Sequence, residues 1–64
     1  MIVNGEQMNF DSELTVDGLL NELDLVSERV VVEINMDIVD KNQYASRILD
    51  QRDTIEIVGF VGGG

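Results

Sequence analysis

The residue types that usually do chemistry in proteins are scarce in this sequence. It contains neither cysteine nor histidine, which removes the common nucleophile, the common general base and the commonest metal ligands together. Ser12, Ser27 and Ser46 have no His to activate them and read as cap or turn residues. Asp50 with Asp53, and Asp37 with Asp40, are close enough in sequence for acid–base or cation work. Neither pair matches a calcium loop, and turns favour Asp on their own account. No catalytic residue and no metal site is expected. What remains is the end, Phe60-Val61-Gly62-Gly63-Gly64. Three successive glycines at a given place arise by chance roughly three times in ten thousand. A frayed terminus or an expression scar is the plain explanation of such an end. Scars usually bring Ser, His or Leu-Glu, and none stands here.

A glycine end offers a carboxylate with no side chain beside it, on a backbone free to adopt almost any φ. Extended, the last four residues reach about 13 Å beyond Phe60. Such a tail threads a narrow channel in which a Cβ would clash. The carboxylate is a poor electrophile until another enzyme makes it an acyl adenylate, so the chemistry belongs to that enzyme and this chain is its substrate. Gly64 is therefore the expected reacting residue, with Gly62 and Gly63 as the threading residues.

A tail of this kind needs a rigid body to present it. At 64 residues, 44% of them hydrophobic, the chain predicts a single domain (1–64, with 62–64 as a flexible tail), near the lower size limit for a core without staples. Asn4-Gly5 signals a type I′ turn and a hairpin that puts Met1, Val3, Met8 and Phe10 on one face. Thr15 reads as a helix N-cap with Asp17 in the first turn, and Val16, Leu19, Leu20 and Leu23 as one buried stripe. Leu14 and Leu19 stand at the positions of a hydrophobic staple. Gly18 is costly inside a helix, and close packing against a sheet is one reason to keep it. Residues 29–34 predict a strand, 35–37 a turn, Ile38-Val39 a second short strand, and 42–45 a single turn. Ile48-Leu49 is either a short strand or a core-filling loop, 50–53 a turn, and 54–61 the last strand. This is an α+β order, with the first and last strands parallel in the middle of one mixed sheet of four or five strands and the helix across one face.

Alternation in the last strand turns Ile55 and Ile57 toward the helix and leaves Val58 and Phe60 on the open side of the sheet. Val31 has the same parity between Val30 and Val32. Val31, Val58 and Phe60, with Val61 beside them, are the expected docking patch for a partner. A bulge at Gly59 that turns Phe60 into the core is the alternative.

The net charge is −9, from 13 acidic and 4 basic side chains. Neutralising phosphates takes Lys and Arg, so nucleic-acid binding is not expected, and anionic membrane surfaces are disfavoured for the same reason. The acidity suits docking on basic protein surfaces, or simply keeps a small domain soluble. The start of the chain lacks a basic segment followed by an apolar run, and nothing approaches the length of a membrane span, so a cytoplasmic protein is expected.

The strand–strand–helix–strand order with a Gly-Gly end resembles ubiquitin and its bacterial relatives of the β-grasp class. More closely, it is similar to the sulfur carrier family of thiamine (thiazole) biosynthesis. The likeness runs over the whole chain: Asn4-Gly5, 30–34, 35–39, Tyr44 and above all Asp53-Thr54-Ile55-Glu56-Ile57-Val58-Gly59-Phe60-Val61-Gly62-Gly63-Gly64. The resemblance implies a carrier with no bound cofactor. An E1-like enzyme would adenylate the Gly64 carboxylate with ATP, a cysteine desulfurase relay would convert it to a thiocarboxylate, and thiazole synthase would receive the sulfur. Arg52 departs from the Asp-Gly-Asp turn common in such relatives, which touches the turn and not the tail. The small subunit of molybdopterin synthase shares fold, tail and activation chemistry, though such chains usually run longer. A ubiquitin-like modifier and a plain interaction module are the further alternatives.

Overall fold

The computed structural model describes residues 1–59. Asn4 and Gly5 both take positive φ, 50° and 84°, the geometry a type I′ turn requires. They join β1 (Ile2–Val3) to β2 (Glu6–Gln7), with Val3 opposite Glu6. Backbone bonds in both directions between Met1 and Met8 extend the hairpin by a pair. Met1 and Val3 are buried, and Met8 and Phe10 pack half-buried against the same core, as the expected register requires.

Helix α1 (Val16–Glu22) is short, and its ends are fastened by other parts of the chain. Thr15 Oγ1 accepts from the Gly18 N–H at 3.1 Å. The Val16 and Asp17 N–H groups donate to the carbonyls of Arg47 and Tyr44, so tertiary contacts complete the cap that one side chain begins. Val16, Leu19 and Leu20 are buried. Gly18 is explained locally: a Cβ there would meet Leu14 Cδ2 at 3.2 Å and Thr15 Oγ1 at 3.4 Å. The residue makes room for the staple and the cap rather than for the sheet. At the other end the Leu25 and Asp24 N–H groups bond the carbonyls of Leu20 and Asn21. This closes a Schellman motif with Asp24 at φ 59° where glycine is usual.

A 3₁₀ turn at Ser27–Arg29 leads into β3 (Val30–Ile34), so Arg29 falls outside the strand expected to contain it. Asn35 and Met36 carry positive φ, 52° and 75°, and turn the chain in two residues into β4 (Asp37–Ile38). Val39, expected in that strand, follows it as a core residue. A second 3₁₀ turn, Lys41–Gln43, precedes the buried Tyr44. Ile48 forms an isolated bridge with Thr15 while Leu49 fills the core. β5 (Thr54–Gly59) completes a five-stranded sheet of order β2-β1-β5-β3-β4. β1 and β5 are parallel neighbours and the other pairs are antiparallel. The core lies between α1 and one sheet face, where Val3, Val16, Leu19, Leu20, Val32, Ile34 and Ile55 are fully buried. Among the described residues no helix is long and apolar enough to cross a membrane.

Candidate functional site

The position of β5 governs the site, because this strand runs in sequence straight into the glycine tail. It is paired on both sides and clamped by two turn asparagines. Asn4 Oδ1 accepts from the Ile57 N–H at 2.7 Å, and the Asn4 N–H donates to the Ile55 carbonyl. β1 is only two residues long, so Asn4 continues its ladder with a side chain after the strand has ended. At the start of β5, Asn35 Oδ1 accepts from the Thr54 N–H at 3.0 Å while Asn35 Nδ2 donates to Asp53 Oδ1 at 2.9 Å. The preceding turn is closed by carboxylates. Asp53 Oδ2 accepts from the Asp50 N–H, and Asp50 Oδ1 accepts from the Arg52 N–H and Nε. These bonds, the Arg52 backbone first and its side chain second, hold the Asp50 carboxyl below its ordinary pKa. The Asp50/Asp53 pair is thus a fastening for the root of β5, a role that its place in a turn foreshadows.

The outer edge of β3 depends on Tyr44, which is only 2% exposed. Its hydroxyl accepts from the Val32 N–H at 3.2 Å and donates to the Val30 carbonyl at 3.4 Å. β4 is too short to reach these groups, and a buried backbone group left without a partner is costly. The phenol stands in for the missing strand.

Parity places the expected docking residues as follows. Ile55 and Ile57 are buried under the helix, while Val58 is 54% exposed on the open face. Val31 lies directly across from Val58, half-buried on that face. The ladder continues through Val30 opposite Gly59 without an extra residue, so the bulge considered at Gly59 is absent from the described pairing. Phe60 and Val61, expected in the docking patch, and Gly62, Gly63 and Gly64, expected to thread and react, lie outside the described residues. The serine hydroxyls that bond do so locally: Ser27 Oγ with Glu28 Oε1 and Ser46 Oγ with the Gln43 carbonyl. Among the described residues no group of three or more acidic, His or Cys side chains could hold a metal ion.

A protein-family comparison decides what this arrangement belongs to: the model of the ThiS family matches residues 1–64. The chain belongs to the ThiS family. The sulfur carrier protein ThiS of Bacillus subtilis is 40% identical over 63 residues, covering 97% of this chain and 96% of that protein. A thiazole synthase of Paramagnetospirillum magneticum is 45% identical over 64 residues, all of this chain but 20% of that protein. The chain therefore spans about one fifth of the length of this relative. The crystal structure of the thiamine biosynthesis protein ThiS from Geobacter metallireducens superimposes with a TM-score of 0.82 at 30% identity, covering 98% of this chain and 96% of that one. The mixed five-stranded sheet with one helix across it is thus the β-grasp architecture of ThiS.

Proposed function

We propose that this chain is a sulfur carrier for thiazole formation in thiamine biosynthesis, a protein co-substrate rather than an enzyme, working in the cytoplasm. The observation that carries the reading is the match to a sulfur carrier along nearly the whole of both chains, on a fold whose central strand leads into Gly62-Gly63-Gly64. In this reading an E1-like enzyme joins the Gly64 carboxylate to the AMP part of ATP and releases pyrophosphate. The terminal sulfur of a persulfide supplied by a cysteine desulfurase relay displaces AMP to give an acyl disulfide. A thiol then reduces that S–S bond and frees the thiocarboxylate, which thiazole synthase consumes. The thiazole synthase named among the relatives supports that last partner, since it holds a segment like this one within a longer chain. Val31 and Val58 form the apolar pair on which either enzyme seats, and Phe60 and Val61, next along the chain, extend the contact. Gly62 and Gly63 give the narrow lead to Gly64.

The test is the intact mass of the protein purified from its own cells, followed by adenylation in vitro. A chain ending at Gly64 and heavier by the exchange of one oxygen for sulfur is expected. A chain that continues past Gly64, or one that the activating enzyme does not adenylate, refutes the reading. Capture by thiazole synthase rather than by a molybdopterin synthase large subunit separates the two carrier pathways.

A further inference from the structure

Away from the tail, the open sheet face carries a pairing that works against the fold. Glu33 of β3 and Glu56 of β5 are directly opposite one another, and like charges in that position are destabilising. No cation of the described residues relieves them. The one ion pair among those residues is Arg52 with Asp50, and Lys41 Nζ donates instead to the Glu28 carbonyl. The two glutamates line a hollow of about 340 Å³ together with Asn35, Met36 and Thr54. Met36 is 90% exposed and is held at φ 75°, where glycine is the unstrained residue. An unpartnered charge pair and an apolar side chain kept at a conformational cost therefore border one concavity. Local conflict of this kind marks places where a sequence serves something other than its own stability.

We propose that this hollow receives an arginine side chain of the protein partner that docks on the open sheet face; the proposal rests on the carrier reading above. Two facing carboxylates match the planar five-donor fork of a guanidinium, and the Met36 side chain offers an apolar surface to its aliphatic stem. A divalent cation fits less well, because two carboxylates fall short of the six to eight oxygens that calcium takes. The Glu33–Glu56 pair lies two residues along the strands from Val31 and Val58, about 7 Å away and on the side far from the tail. The face thus has an apolar contact near the tail and a charged one remote from it, which fixes the carrier's orientation as well as its position. A net charge of −9 favours the same class of partner.

The experiment compares the full chain with Glu33→Gln/Glu56→Gln and, separately, Met36→Gly. It reads pyrophosphate release by the activating enzyme, calorimetric binding to thiazole synthase, and the urea midpoint. With at least one of these enzymes, the double variant is expected to raise KM or Kd about tenfold, with kcat within about twofold and a midpoint no lower than wild type. Met36→Gly is expected to raise the midpoint, since glycine accepts the turn geometry, and yet to weaken the same interaction. A purely structural role would not move stability and binding in opposite directions. Wild-type KM and Kd with both enzymes in both variants overturn the arginine site while leaving the carrier reading intact. Movement of the Glu33 and Glu56 amide resonances by Ca²⁺ or Mg²⁺ at millimolar concentration reassigns the hollow to a metal and overturns it too. Failure of the wild-type protein to be adenylated removes the carrier reading, and this inference with it.

Discussion

The Tyr44 hydroxyl occupies the place where a longer β4 would have put its backbone, and it serves a donor and an acceptor of β3 at once. Tyr44→Phe keeps the ring in the core and strands both groups. The expected loss is about 1–3 kcal/mol, and each kcal/mol lowers the thermal midpoint of a domain this size by roughly 4–8 °C. Thermal and urea unfolding of the variant check this, and an unchanged midpoint would show that water replaces the phenol without penalty. Nothing local in the sequence announces this role, for an aromatic residue between two turns looks like any other core residue. Asn4 and Asn35 divide in the same way. Each is legible as a turn residue because it sits where positive φ is needed. The reach of Asn4 to Ile57, across 53 positions, depends on the parallel pairing of strands from the two ends of the chain.

Among the elements, β5 was the most readable. Its alternation fixed which side chains meet the helix, and the same parity in β3 set Val31 against Val58. A strand buried on one face and open on the other admits only one register. Pieces too short for any periodicity to show are read less well: β4 is expected one residue late, at Ile38-Val39, and the 3₁₀ turn ahead of β3 is missed, with Arg29 drawn into the strand. The tail is legible as composition alone, and the role proposed for it rests on chemistry rather than pattern. The described core ends at Ile57, so removal of Gly63 and Gly64 is expected to leave the urea midpoint unchanged while abolishing adenylation. Gly63→Val is expected to do the same, because a β-branched residue restricts φ and widens the tail. Paired measurements of unfolding and pyrophosphate release test both. Adenylation of either variant at the wild-type rate would show that the activating enzyme does not need a narrow tail.

For the whole molecule the dominant quantity is charge. Thirteen acidic side chains against four basic ones, with a single ion pair among the described residues, leave a field that neighbouring cations scarcely relieve. Association with the activating enzyme is expected to slow as salt rises, chiefly through the on-rate, because exposed charges are screened beyond about 8 Å at physiological ionic strength. Stopped-flow association from low to high salt measures this, and a flat on-rate would assign the acidity to solubility alone. The parallel pairing of β1 with β5 has a consequence for synthesis. The centre of the sheet is closed by β5, the last of the described strands to be made, with Ile2 waiting for Thr54 and Val3 for Ile55. A nascent chain released before β5 lacks the strand that joins its two hairpins, and it cannot bury Val3 or Ile34 as the finished fold does. Folding therefore acts as an inspection of length: a chain on which Val31 faces Val58 has already been translated through β5, whose residues lead in sequence into the tail.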